Sequence, residues 1–143
     1  MKLVSYLERR LKDDAVIELL EDYDMEVFYL FDRLHENTAD AYSSAAKSAG
    51  FELRFNDHQI LETIWCYVKA RDGYTAVDTS ILGVPYYSSF NEASRSAEGA
   101  GVRLSKPPSG SEAWIRLEED HLWRHYEFAD GELALVTLML PWE

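Results

Sequence analysis

The strongest constraint on the fold sits near the C-terminal end, where two apolar runs, 122–128 and 133–140, flank Ala129-Asp130-Gly131-Glu132. An Asp-Gly pair accepts positive φ at both central positions of a two-residue turn, and that backbone twist suits the right-handed twist of paired strands. The segment therefore predicts a tight β-hairpin. A second hairpin is written into 51–68, where Phe51, Leu53 and Phe55 alternate with Glu52, Arg54 and Asn56 at the period of a half-buried strand. Asn56-Asp57-His58-Gln59 turns the chain, and 60–68 returns beside it. Residues 27–31 and 114–118 read as further strands, and Val102 and Leu104 begin an extended piece that Pro107-Pro108-Ser109-Gly110 breaks.

Helical spacing is confined to three places. Leu3, Val4, Leu7 and Leu11 share one face, predicting a helix over 2–11; Val16, Leu19, Leu20 and Tyr23 form a second set over 15–22. Between them, Asp13-Asp14 reads as an N-cap, unless it merely interrupts one longer helix. The third helix opens at Ser89-Phe90-Asn91-Glu92, which matches the capping box, and stops at Gly99. The Ala-, Ser-, Asn- and Asp-rich stretch 35–50 reads as a surface connection with one weak helical turn, and 69–85 as a long loop.

The order helix, extended piece, loop, hairpin occurs twice, over 13–68 and 88–140. Phe55-Asn56-Asp57 aligns with Phe128-Ala129-Asp130, and Leu61, Ile64, Cys66 and Val68 align with Leu133, Val136, Leu138 and Leu140. A tandem duplication and a chance likeness of short apolar strands both fit. In each returning strand the apolar spacing is three, then two, which predicts a bulge, and apolar residues on both faces predict central strands covered on two sides. The expected architecture is α+β: one globular domain of 143 residues, a mainly antiparallel sheet with short helices packed on it.

Charge narrows the partners. The 26 acids and 14 Lys and Arg leave a net charge of -12, which disfavours nucleic acid and anionic membranes and favours a basic protein. Most of it lies at the ends, with 11 acids and 5 bases in 1–40 and 8 acids and 2 bases in 112–143. The single cysteine, Cys66, excludes an internal disulfide and fits a reduced cytosol. The first ten residues contain Glu8, Arg9 and Arg10 before any apolar leader develops, and no apolar run reaches 18 residues, so neither export nor membrane insertion is expected.

The chemistry-bearing motifs are weak. His121 and His125 beside Glu118-Glu119-Asp120 would share a helical face and suit a metal, but on a strand they stand about 13 Å apart, and the alternation of Leu122, Tyr126 and Phe128 favours the strand. Ser44-Ala45-Ala46-Lys47 has the spacing of a lysine-activated serine without the companion motifs of such enzymes. Cys66 lies among Ile64 and Val68, where a thiol stays protonated and packs as core. Neither a metal nor a cofactor is expected.

The outer face of 122–128 says more. With Leu122, Tyr126 and Phe128 turned to the core, Trp123, His125 and Glu127 project from the other side, where either a partner or a second layer covers Trp123. Arg124 is then left on the apolar face and must snorkel or meet a buried carboxylate.

Trp123-Arg124-His125-Tyr126-Glu127-Phe128-Ala129-Asp130-Gly131-Glu132-Leu133-Ala134-Leu135-Val136-Thr137-Leu138-Met139, together with the helix opened at Ser89-Phe90 and the hairpin of 51–68, resembles a group of small bacterial cytosolic proteins, several of which resemble toxin-immunity proteins. The likeness covers 13–31 and 51–140; its motifs are structural rather than catalytic, and Gly83-Val84-Pro85 departs from the group's looser Gly-rich approach to the helix. Tandem helix and hairpin units of this kind are also similar to the β-lactamase-inhibitor-protein-like architecture. The resemblance implies a non-catalytic protein that occludes the active site of a cognate toxin, a basic nuclease domain being the partner a charge of -12 would steer. On that reading Glu118, Glu119, Asp120, Trp123, His125 and Glu127 bind the partner. A small hydrolase or transferase built on His121 and His125, and a homo-oligomeric structural protein, are the alternatives.

Overall fold

The computed structural model describes residues 1–31, 34 and 36–142; Asp32, Arg33, His35 and Glu143 lie outside them, so the first position of the connection read over 35–50 is not described. Eight strands form one antiparallel sheet: β1 (Val27–Leu30), β2 (Ala41–Ala46), β3 (Phe51–Phe55), β4 (Leu61–Tyr67), β5 (Arg103–Ser105), β6 (Trp114–Glu118), β7 (Trp123–Ala129) and β8 (Glu132–Met139). Their spatial order is β1-β2-β3-β4-β8-β7-β6-β5. Each half of the chain thus contributes a four-stranded meander, and the two meanders meet where β4 pairs with β8. Two helices, α1 (Asp14–Asp22) and α2 (Phe90–Ala100), lie on one face of the sheet and bury Val16 and Leu19, and Ala93 and Ala97, against Phe51, Leu53, Ile64, Cys66, Ile115, Val136 and Leu138. The architecture is α+β, a mainly antiparallel sheet with short helices.

The register relates the halves closely. Ile64 opposes Leu138 and Cys66 opposes Val136, so exchanging 64 with 136 and 66 with 138 maps the β4–β8 ladder onto itself about the Trp65–Thr137 pair. The β3–β4 ladder slips between Arg54 and Phe55, and the β7–β8 ladder between Glu127 and Phe128, with Phe55 opposing Leu61 and Phe128 opposing Leu133. Both bulges fall at corresponding positions, which is where the three-then-two spacing put them.

Several local expectations are corrected. Residues 2–11 form a short 3-10 turn, Leu3–Tyr6, rather than a helix, because the segment is held by the sheet instead: the Glu8 N–H donates to the Leu61 carbonyl, the Leu61 N–H to the Arg9 carbonyl and the Leu11 N–H to the Gln59 carbonyl. Within 35–50 the chain forms β2, a strand of small residues with low strand propensity, which packs between β1 and β3. Ser44 is fully buried there and donates its hydroxyl to the Glu26 carbonyl at 2.6 Å. Helix α2 runs through Gly99 and stops at Gly101, whose φ of 67° gives the left-handed cap. Ser89 Oγ accepts from the Glu92 N–H as expected, but the Glu92 carboxylate turns to the N–H and hydroxyl of Ser88. The Asp130-Gly131 turn has φ of 53° and 78°, the positive pair a tight hairpin demands.

Two glycines with similar backbones separate strain from crowding. Gly50 (φ 80°) ends the turn between β2 and β3, and a methyl there would collide with the Thr75 carbonyl oxygen and lie 2.6 Å from the Val77 nitrogen. Gly131 (φ 78°) faces open space. We expect Gly131→Ala to cost about 1 kcal/mol, the strain of a left-handed alanine, and Gly50→Ala at least about 3 kcal/mol in urea unfolding. Equal losses would contradict this packing.

Candidate partner-binding site on the open sheet face

Directly opposed residues of an antiparallel sheet share a face, so the register fixes which side chains stand opposite the helices. Three rows cross that open face: Arg54, Thr63, Met139, Trp123, Glu118 and Arg103; Glu52, Trp65, Thr137, His125, Arg116 and Ser105; and Tyr67, Leu135, Glu127 and Trp114. Trp123, His125 and Glu127 project here, as the alternation requires. Among the described residues no helix or second sheet covers the face, yet Trp123, Leu135, Thr137 and Met139 are buried. Their neighbours' side chains shield them, which corrects the expectation that a layer on each side would cover β8.

The shielding is densest around Arg116. Its guanidinium lies 4.6 Å from the Trp123 ring centroid, 4.9 Å from Trp142 and 5.9 Å from Trp114. Its Nε donates to Glu118 at 2.9 Å, and Glu118 also accepts from Ser105 Oγ at 2.7 Å and Arg103 Nε at 3.0 Å. Burial alone would raise the Glu118 pKa, but the hydrogen bonds from Ser105 and Arg116 and the charges of both arginines hold the carboxyl below the ordinary glutamate range. This carboxylate is therefore a structural anion, with three internal partners. Pro141 follows β8, and Trp142 packs its ring 5.5 Å from Trp123 while remaining 65 % exposed.

A cleft of about 670 Å³ opens at this edge, lined by Glu118, Glu119, Asp120, His121, Trp123 and Trp142 together with Gly101 to Arg103, Leu122 and Pro141. Four of the six residues expected to bind a partner meet in it; His125 and Glu127 lie farther along β7, outside its lining. Glu119, Asp120 and His121 are exposed at the rim. Trp123 forms the floor, and the indole that a partner would meet is that of Trp142. Arg116 and Trp142 were not among the expected residues. The alternation Trp114-x-Arg116-x-Glu118 carried a signal for the first, whereas the return of the tail over Trp123 has no sequence signature.

The arginine on the helix-bearing face is resolved by a carboxylate. Arg124 stands between Leu117 and Leu138 in register, and its Nη2 donates to Glu119 at 2.7 Å and its Nη1 to the Tyr126 hydroxyl at 3.3 Å. Tyr126 in turn donates to the Pro85 carbonyl at 2.9 Å. Burial pushes the Tyr126 phenol up to about 12, so it remains a neutral donor. Glu119 thereby links the cleft rim to the core.

Of the remaining chemical candidates, Cys66 and Ser44 are fully buried and His125 is partly so. His125 stacks on Trp114 with ring centroids 5.0 Å apart, and its Nδ1 is buried without a hydrogen-bond partner. Burial, assisted by the Arg116 charge, lowers its pKa to about 4, so it is neutral across the physiological range and badly matched to acid–base work near pH 7. Among the described residues no three His, Cys, Asp or Glu groups gather as a metal site. Cys66 is fully buried, which pushes its thiol pKa up, and Ser44 and Lys47 lie on a strand and the following turn rather than on one helical face. No described helix is long and apolar enough to cross a membrane. No protein-family model, curated protein or solved structure matches the chain.

Two consequences can be measured. Arg124→Ala should lose about 2–3 kcal/mol by opening a cavity in the core and removing the donor to the Tyr126 hydroxyl, whereas Arg124→Phe, which fills the same apolar space, should recover most of that in chemical unfolding, since half-exposed Glu119 can turn to water in either variant. A histidine whose folded pKa is depressed stabilises the protein fully above its unfolded value and progressively less as pH falls toward the folded one. Stability should therefore decline from about pH 6.5 to 4.5, by about 1–2 kcal/mol after allowing for partial solvent access, and His125→Phe should flatten that slope.

Proposed function

We propose that this protein is a stoichiometric inhibitor of the immunity type, which binds a cognate bacterial toxin in the cytosol and covers its active site without catalysing a reaction itself. The observation that carries the reading is the uncovered sheet face, where aromatic and charged side chains are ordered against one another and end at a cleft with an acidic rim and an exposed indole. Such a surface offers a rigid aromatic anchor at small entropic cost and suits a basic loop or groove. The net charge of -12 supports steering toward a basic partner, such as a nuclease domain, rather than toward nucleic acid or an anionic membrane. Within the cleft, Asp120 and Glu119 supply the rim charge, Trp142 the contact area, and Glu118 and Arg116 the frame beneath; His125 and Glu127 extend the contact along β7. The sequence resemblance to toxin-immunity proteins points the same way.

The test is protection. Cells expressing a toxin encoded beside this gene should survive when the protein is co-expressed, and the purified pair should form a 1:1 complex whose association slows with added salt. Asp120→Lys should weaken binding by about 10- to 100-fold and leave the unfolding midpoint in place, and Trp142→Ala should weaken it by a similar factor while lowering the midpoint slightly, because it uncovers part of Trp123. Turnover of a small molecule by the purified protein, abolished by replacing His121 or His125, would favour an enzyme instead.

A further inference from the structure

The two ends of the sheet are treated differently. At one end β5 has only three residues, is flanked by the charges of Arg103 and Lys106, and runs into Pro107-Pro108, all devices that prevent another strand from adding to an edge. At the other end β1, four residues long and preceded by Glu26, has neither a proline nor a charge within the strand. Val27, Phe28, Tyr29 and Leu30 are 39 %, 57 %, 52 % and 44 % exposed, Phe31 and Leu34 are 51 % and 75 % exposed, and no charged side chain occurs from 27 to 31. The strand is nevertheless ordered: it pairs with β2 along its whole length, Tyr29 stacks on Tyr42 at 5.1 Å, and its hydroxyl donates to Asp40 at 2.5 Å. Among the described residues no strand pairs with its outer edge.

We infer that β1 is a dimerisation edge, at which a second copy of this chain adds its own β1 in antiparallel register to make a continuous sixteen-stranded sheet. An antiparallel strand edge is self-complementary under a two-fold axis, since each unpaired N–H meets the carbonyl of its counterpart. The charge distribution selects the same occupant. Two molecules of charge -12 repel, and this uncharged strip is where they can touch without setting like charges opposite each other. A basic partner would gain nothing from it. The area suits a weak, concentration-dependent dimer: the exposed parts of Val27, Phe28, Tyr29, Leu30 and Phe31 amount to about 400 Å² per protomer, or about 800 Å² in the pair.

Sedimentation velocity on the full chain from about 1 to 200 µM should show a monomer–dimer equilibrium that strengthens with added salt, because screening relieves the repulsion of like-charged copies. The toxin complex proposed above should weaken with salt, so the failure of one reading is distinguishable from the failure of the other. Phe28→Lys/Leu30→Lys should shift the dimer dissociation constant at least 100-fold upward, while Lys106→Glu beside β5 should leave it unchanged. A nitroxide at Glu26→Cys should give an inter-protomer distance below about 25 Å, since paired strands lie about 5 Å apart and β1 is about 13 Å long; fully buried Cys66 leaves position 26 alone to be labelled. That distance decides the matter if the lysine variant fails to fold. A monomer at every concentration, a dimer indifferent to the lysines, or a longer distance would overturn the inference.

Discussion

The ladder between β4 and β8 is the interaction on which the rest of the molecule depends. It joins two meanders that are otherwise local in sequence, and with Ile64, Cys66, Val136 and Leu138 on one side it supplies the floor on which both helices rest. Its other side carries Trp65 and Thr137 at the centre of the open face. One set of backbone hydrogen bonds thus fixes which side chains enter the core and which stand on the candidate binding surface. Long-range pairing of this kind carries a larger loop-closure cost than the hairpins beside it, because the hairpins need short loops and the central pair spans about half the chain.

Where the halves depart from one another, the departures cluster at the candidate site. In register Arg124 corresponds to Phe51, which is fully buried and meets Tyr23 edge-on at 5.0 Å. Replacing that ring by a guanidinium in a core row requires a carboxylate within reach, and Glu119 supplies it from the cleft rim. Similarly, Ala45 faces Glu52 in the first half where Arg116 faces His125 in the second. The first half therefore solves a packing problem with small and aromatic residues, while the second accepts buried charge. A buried ion pair adds little net stability, so its presence is better accounted for by what it orients, here a rim carboxylate and a cage of three tryptophans.

Much of this was legible in the sequence because hairpins are local. The Asp-Gly turn, the alternation of 51–55 and 114–118, and the bulge spacing all state their geometry within a few residues, and the outward turn of Trp123, His125 and Glu127 follows from period two alone. The failures share a cause. The apolar spacing of Leu3, Val4 and Leu7 satisfies a helix equally well, and backbone bonds to Gln59 and Leu61 decide against it. β2 is spelled Ala-Tyr-Ser-Ser-Ala-Ala, a composition of low strand propensity apart from Tyr42, and is a strand because two neighbours supply its ladder. The chain order also gave no means of finding that Trp142 returns over Trp123, since that contact joins the tail to the start of a strand across a pairing visible only in three dimensions.

The electrostatics of the second half then separate two kinds of acid that the composition counts alike. Glu118 is surrounded by Arg103, Arg116 and Ser105 and is 7 % exposed, so its charge is neutralised locally and adds little to any long-range field. Glu119 is paired with Arg124 and half-exposed, and Asp120 at the same rim is exposed. On the proposed function, a partner approaching the cleft would be steered by the outer carboxylates and would meet Trp142, while the inner carboxylate pairs with Arg116 beneath that indole. Removing the inner charge would loosen the floor without weakening attraction at a distance, and removing the outer one would do the reverse. On that proposal, association rate and residence time at this surface would be governed by different residues, as expected where rim charges act on encounter and buried contacts act on release.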